Sequence, residues 1–230
     1  MREKNNSKIH VRVLTLYTDK PFKGYGSDVR RAITARFKDI PVLHNHKGIG
    51  FDYKSPRVRY LVLHDYPRLV SFDEGLEIVE QIYHEPSDIR VGSWLYAVTG
   101  TELEDMIEPI GMMGEDSYRY RSISPWLALN EENHSIYAKT MSFLERKELL
   151  ARILIANMLA LSKNVNLEIE KMIKVKVNTF TETSLQVGQV TMLGFKIEFE
   201  TNFRLPTFIG VGKLVSKGFG VMQLIHDHRI

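Results

Sequence analysis

The 230-residue chain carries 31 Lys and Arg against 28 Asp and Glu, a formal net charge of +3, and has no cysteine. The missing thiols exclude disulfides, iron–sulfur clusters, thiolate zinc sites and a cysteine nucleophile, and suit a reducing interior. A composition 43% hydrophobic and 26% charged is that of an ordinary globular protein with one large domain or two small ones, and the mildly basic balance permits a nucleic-acid partner without requiring one.

Met1 to Lys8 is polar and lacks the apolar core of a signal peptide. The longest apolar stretch, Ile153 to Leu161, is interrupted by Asn157 and falls far short of the ~20 residues that span a bilayer. The expectation is a cytoplasmic protein with no membrane partner. From Ile9 to Tyr17, Val11, Val13, Leu14 and Leu16 mark a strand. Gly24 to Asp28 then supplies a turn and a cap. Val29, Ile33 and Phe37, spaced by four, predict an amphipathic helix over 28–38 whose outer face carries Arg30, Arg31, Arg36 and Lys38.

The loop Pro41-Val-Leu-His44-Asn-His46-Lys-Gly48 leads into Ile49, Phe51 and Tyr53, which alternate. A turn at Lys54 to Pro56 and a second alternation at Val58, Tyr60 and Val62 predict a hairpin. A short strand at Leu69 to Phe72, a helix from Asp73 to Tyr83 and a strand from Ile89 to Val98 complete the order β-α-β-β-α-β. That is the ferredoxin-like unit, with both helices on one face of an antiparallel sheet and the other face left for a partner or a second domain.

The second half is less regular. A strand is expected over Tyr118 to Leu129, a long helix over Phe143 to Lys163, and strands over Ile173 to Val177, Leu193 to Phe199 and Phe219 to Ile225. The fold class is therefore α+β, two ferredoxin-like units in tandem, the second more irregular. The boundary is placed between residues 100 and 101, at a seam where Gly100, Pro109, Gly111 and Gly114 cluster.

Two constellations carry chemistry. His44 and His46, one residue apart on a loop behind a basic helix, can both titrate near neutrality, with Tyr53 as a hydrogen-bonding phenol nearby in sequence. Solvated surface histidines are the plainer account. A zinc site wants a third ligand that the spacing does not supply, and three adjacent letters do not make an HNH nuclease. The other constellation is Gly210-Val-Gly212-Lys213-Leu-Val-Ser-Lys217-Gly218-Phe-Gly220. Glycines leave backbone amides open to an anion, although the spacing fits neither a Walker loop nor the dinucleotide fingerprint. A glycine-rich hairpin with solvated lysines explains the stretch about as well. The lysines between Lys171 and Lys176 fit a solvated strand face.

The glycine-rich stretch, from Pro206 to Gly220, resembles the signature loop of the CRISPR-associated repeat-processing endoribonucleases of the RAMP superfamily. The N-terminal half resembles their b-type subfamily, in which a basic helix leads into a His-x-His loop followed seven residues later by a tyrosine. The resemblance implies a metal-independent endoribonuclease that needs no cofactor and cuts repeat RNA by 2′-hydroxyl attack, leaving 5′-hydroxyl and 2′,3′-cyclic phosphate ends. It implies catalytic roles for His44, His46, Tyr53 and Arg36. RNA binding would fall to Arg30, Arg31, Gly210, Gly212, Lys213, Lys217, Gly218 and Gly220. Repeat RNA is the implied partner, and a CRISPR effector complex or a homodimer is compatible with it. The alternative within the superfamily is a non-cleaving RNA-binding subunit.

Overall fold

The computed structural model describes residues 7–44, 56–112 and 117–225. They fall into two compact units. The N-terminal unit comprises Ile9–Glu108 together with Val215–Gly218, and the C-terminal unit comprises the described residues of Met1–Lys8, Pro109–Leu214 and Phe219–Ile230.

The N-terminal unit runs β1 (Lys8–Thr18), α1 (Gly26–Arg36), α2 (Pro41–His44), β2 (Val58–Leu63), β3 (Tyr66–Phe72), α3 (Gly75–Gln81), β4 (Asp88–Val91) and β5 (Trp94–Pro109). The sheet order is β2-β3-β1-β5-β4. With the edge strand β4 set aside, this is the ferredoxin-like arrangement. Leu14, Leu16, Val58, Tyr60 and Leu69 point to one face and form the core with Val29 and Ile33 of α1 and Val79 of α3. On the opposite face Val11, Val13, Val70 and Phe72 are also fully buried.

Three local features differ from expectation. Helix α1 starts at Gly26, because Asp28 is not the cap itself; its carboxylate reaches back to accept from the Tyr25 N–H at 2.9 Å. The hairpin partner of β2 is β3, with Tyr60 opposite Leu69. Its two-residue turn is His64-Asp65, both left-handed at φ 51° and 63°, as a type I′ turn requires. The segment expected to pair with β2, Ile49 to Tyr53, lies outside the described residues. Finally, the strand expected over Ile89 to Val98 folds back at Gly92-Ser93 into the β4–β5 hairpin, with Val91 opposite Trp94. Strand β5 then runs on to Pro109, through the expected boundary at 100/101.

The C-terminal unit runs β6 (Gly111–Met112), β7 (Tyr118–Ser122), α4 (Glu131–Lys139), α5 (Phe143–Asn164), β8 (Val175–Val187), β9 (Val190–Thr201), β10 (Phe203–Arg204) and β11 (Met222–Leu224). Strands β10 and β6 pair separately, and the main sheet has the order β11-β7-β9-β8. That is again the ferredoxin-like order. Its irregularity is specific: between β9 and β11, where the second helix belongs, the described chain holds β10, the glycine-rich loop and one 3-10 turn at Val215–Lys217.

Helix α5 matches its expected span. It buries Leu149, Leu150, Ile153, Leu154, Met158 and Leu161 along one stripe, and Ser142 caps it by accepting from the Glu145 N–H. The two short strands expected at 173–177 and 193–199 lie near and within the long β8–β9 hairpin. The strand expected over Tyr118 to Leu129 stops at Ser122. Beyond it Ile123 N–H donates to Val221 O, and Trp126 forms an isolated bridge to Phe195 through backbone bonds of 2.8 and 2.9 Å. Trp126 and Phe195 are fully buried, with Tyr137 edge-on to Phe195 at 5.3 Å. Among the described residues no helix is long and apolar enough to cross a membrane.

Candidate functional site

The single turn of α2 ends at His44. Its ring Nε2 lies 3.2 Å from the Phe37 carbonyl oxygen. A carbonyl can only accept, so Nε2 is the donor in this contact. The two backbone carbonyls at the end of the turn are held as well. The buried Tyr60 hydroxyl donates to Leu43 O at 3.1 Å, and Arg30 Nη2 donates to His44 O at 2.8 Å. Burial pushes the Tyr60 phenol far above its ordinary range, against a smaller opposing pull from the Arg30 charge. Tyr60 therefore stays a proton donor at any physiological pH.

The other arm of the Arg30 fork donates to Ser216 Oγ at 3.1 Å. Ser216 sits in the 3-10 turn of the glycine-rich stretch, which the chain delivers to the N-terminal unit from more than a hundred residues away. Arg30 thus does not lie on an outer face with Arg31. It is half-buried and ties the end of α2 to Ser216. Arg31 is exposed and pairs with Asp28 at 3.3 Å. Arg36, in the last turn of α1, donates to Ser87 Oγ at 2.9 Å and lies 3.7 Å from Asp88 Oδ1. With Arg31 and Arg90 it lines a shallow groove of about 450 Å³ between α1 and β4. His46 and Tyr53 lie outside the described residues.

The glycine-rich stretch divides between the units. Gly210, Gly212, Lys213 and Gly220 belong to the C-terminal unit, and Lys217 and Gly218 to the N-terminal one. Close approach explains the glycines. A Cβ on Gly210 would lie 2.7 Å from Phe219 O, one on Gly212 2.6 Å from Trp126 Nε1, and one on Gly220 would overlap Val211 O. A Cβ on Gly218 would lie 2.7 Å from Tyr60 O. Several amides are already spent. Lys213 N–H donates to Leu127 O, Gly218 N–H to Val215 O and Gly220 N–H to Pro125 O. The Lys213 side chain is exposed and that of Lys217 half-buried. Lysines 171, 174 and 176 are exposed. Among the described residues no cluster of three or more His, Asp or Glu is gathered as a metal would need.

Sequence reasoning missed Tyr60 and Ser216. One reads as an ordinary core position on an alternating strand, the other as a small polar residue between glycines. Only the tertiary structure brings them to the residues they hold.

The family model for the Cas6b N-terminal domain matches residues 7–108, and that for the Cas6b C-terminal domain matches residues 112–225. An uncharacterized protein of Methanocaldococcus jannaschii is 35% identical over 140 residues, spanning 61% of this chain and 94% of that protein. A crystal structure of Cas6b superposes with a TM-score of 0.86 at 26% identity, covering 95% of this chain and 100% of that one. A crystal structure of the CRISPR RNA processing endoribonuclease Cas6b follows with a TM-score of 0.74 at 24% identity, covering 94% and 100%.

Proposed function

Because the chain belongs to the Cas6b family, we propose that it is a cytoplasmic, metal-independent endoribonuclease that cuts repeat RNA in CRISPR precursor transcripts. The ribose 2′-hydroxyl attacks the adjacent phosphorus. The P–O2′ bond forms as P–O5′ breaks, leaving a 2′,3′-cyclic phosphate and a 5′-hydroxyl. Of His44 and His46, one takes the 2′-hydroxyl proton and the other protonates the departing O5′. Tyr53 orients the reacting hydroxyl. Arg36 steadies the phosphate charge that develops only in the transition state. To do so it leaves Ser87 and Asp88, an exposed partnership worth less than about 1 kcal/mol.

The observation that carries this reading is the anchoring of the chain at His44. Its ring Nε2 lies against the Phe37 carbonyl oxygen and its own carbonyl is held by Arg30. A base on a tethered turn spends little entropy in reaching its working position. Lys213 and Lys217 supply positive charge for the RNA backbone.

Incubation of the purified protein with a labelled transcript of its own repeat, in the presence of EDTA, tests the reading. The wild type should cleave to a cyclic-phosphate product. The His44→Ala/His46→Ala variant should bind the RNA equally well and cleave at least about a hundredfold more slowly. Full activity in the double variant removes the histidines from catalysis. Activity that EDTA abolishes removes the metal-free mechanism.

A further inference from the structure

Resting on the reading of this chain as an RNA-handling enzyme, we propose that a groove in the C-terminal unit binds one unpaired nucleotide, its phosphate on Arg152 and Lys213 and its base on Asn157. The groove, of about 580 Å³, lies between α4, α5 and the glycine-rich loop, with Asn130, Arg152, Asn157 and Lys213 among its lining residues. That size suits a small-molecule or nucleotide occupant.

Its charge is uncommitted. Arg152 and Lys213 are exposed and make no ion pair among the described residues. Arg119 and Arg146 of the same unit, in contrast, are paired with Glu198 and Glu182. Among the described residues no carboxylate lines the groove to compete with an incoming anion.

Its amides are oriented. Asn157 interrupts the apolar run of α5, and its Oδ1 accepts from Trp126 Nε1 at 3.1 Å. An indole N–H can only donate, so the amide oxygen must face Trp126 and the NH2 is left to donate elsewhere. Trp126 is itself immobilised, fully buried and bonded through its backbone to Phe195. Asn130 is engaged in the same sense, its Oδ1 accepting from the Asn133 N–H at 2.7 Å at the start of α4. The polar lining is therefore rich in donors: a guanidinium, an ammonium and amide NH2 groups. Such a set matches phosphate oxygens and a base edge bearing acceptors. A half-buried amide in a groove is reached by a base splayed out of a single strand, not by one stacked inside an A-form duplex.

The test is a fluorescence titration of the full chain with 12-nucleotide homopolymer RNAs and with the rA12·rU12 duplex, at several salt concentrations. Arg152→Ala and Lys213→Ala should each weaken single-strand binding by about threefold to tenfold and reduce the salt slope by about 0.7. Asn157→Asp keeps an oxygen for Trp126 but replaces the donor NH2. It should change the order of affinity among the four homopolymers and leave duplex binding unchanged. Arg152 is exposed, so its variant remains informative should Asn157→Asp fold poorly. Single-strand affinity unchanged in the Arg152 and Lys213 variants overturns the groove, even if repeat RNA is cleaved normally. A wild type that cleaves no repeat while these losses appear overturns the nuclease reading and leaves the groove standing.

Discussion

Arg30 and Arg31 are neighbours on one helix, yet a step of about 100° gives them different work. Arg31 meets solvent and Asp28, whereas Arg30 satisfies two acceptors that belong to distant parts of the chain. A guanidinium fork can hold both at once, and an ammonium cannot reproduce that geometry. Arg30→Ala should lower stability by about 2–3 kcal/mol, since hydrogen bonds from a charged donor contribute roughly 1.5–3 kcal/mol each and two half-buried acceptors lose their partner. Urea melts measure this. Arg30→Lys should recover only part of it. In both variants repeat cleavage should fall further than RNA affinity, because the residue positions His44. Equal losses in the two would make Arg30 an RNA contact. The sequence marks the arginine as basic and helical. It does not show which side of the helix finds Ser216.

At the scale of elements, periodicity was informative where burial is one-sided and uninformative where it is not. Helix α5 is legible because six of its buried side chains form one stripe. Helix α4 was missed because it buries only Tyr137, so its sequence shows no apolar repeat, and the Asn130 cap alone does not announce a helix. The β2–β3 turn was missed because His64-Asp65 is not the Asn-Gly or Asp-Gly pair that usually signals left-handed turn residues. The glycine-rich loop was visible by composition, but its reason was not. Gly218 has φ of +85° and packs on the Tyr60 carbonyl. Gly218→Ala should therefore cost at least about 1–2 kcal/mol from backbone conformation alone, with a further penalty for the overlap. Hydrogen exchange should show loosening at α1 and β2, against which the 3-10 turn packs. Unchanged protection there would mean that the turn accommodates a side chain.

On the scale of the whole molecule, neither unit is one continuous stretch. The N-terminal unit takes in Val215–Gly218, and the Ser7 carbonyl accepts from Ile110 N–H in the C-terminal unit. Stability against acid is also a tertiary property. Asp105 of β5 accepts from Arg12 Nε at 2.9 Å and from His10 Nε2 at 2.6 Å, both on β1, while Arg12 also reaches Glu80 of α3 at 2.6 Å. The Arg12 hydrogen bond, helped by His10, holds the Asp105 carboxyl below its ordinary value of 3.8. A folded value below the unfolded one adds stability that is fully present above the ordinary value and lost as pH falls through the folded one. Asp105→Asn should accordingly be less stable than wild type at pH 7, by under about 1 kcal/mol for so exposed a site. Urea midpoints of the two should converge as pH falls below about 3.8. A gap that does not narrow at all as pH falls below that value would assign the effect to packing. Local chemistry alone determined that this chain is α+β, that its first half follows the ferredoxin-like element order, and that histidines follow a basic helix, because hydrophobic period and residue type are written along the backbone. Tertiary structure alone decided that Arg30 faces inward, that the loop glycines serve close packing, and that the Asn157 amide oxygen meets the Trp126 indole. Each of these depends on which distant segments touch, and sequence spacing carries no record of that.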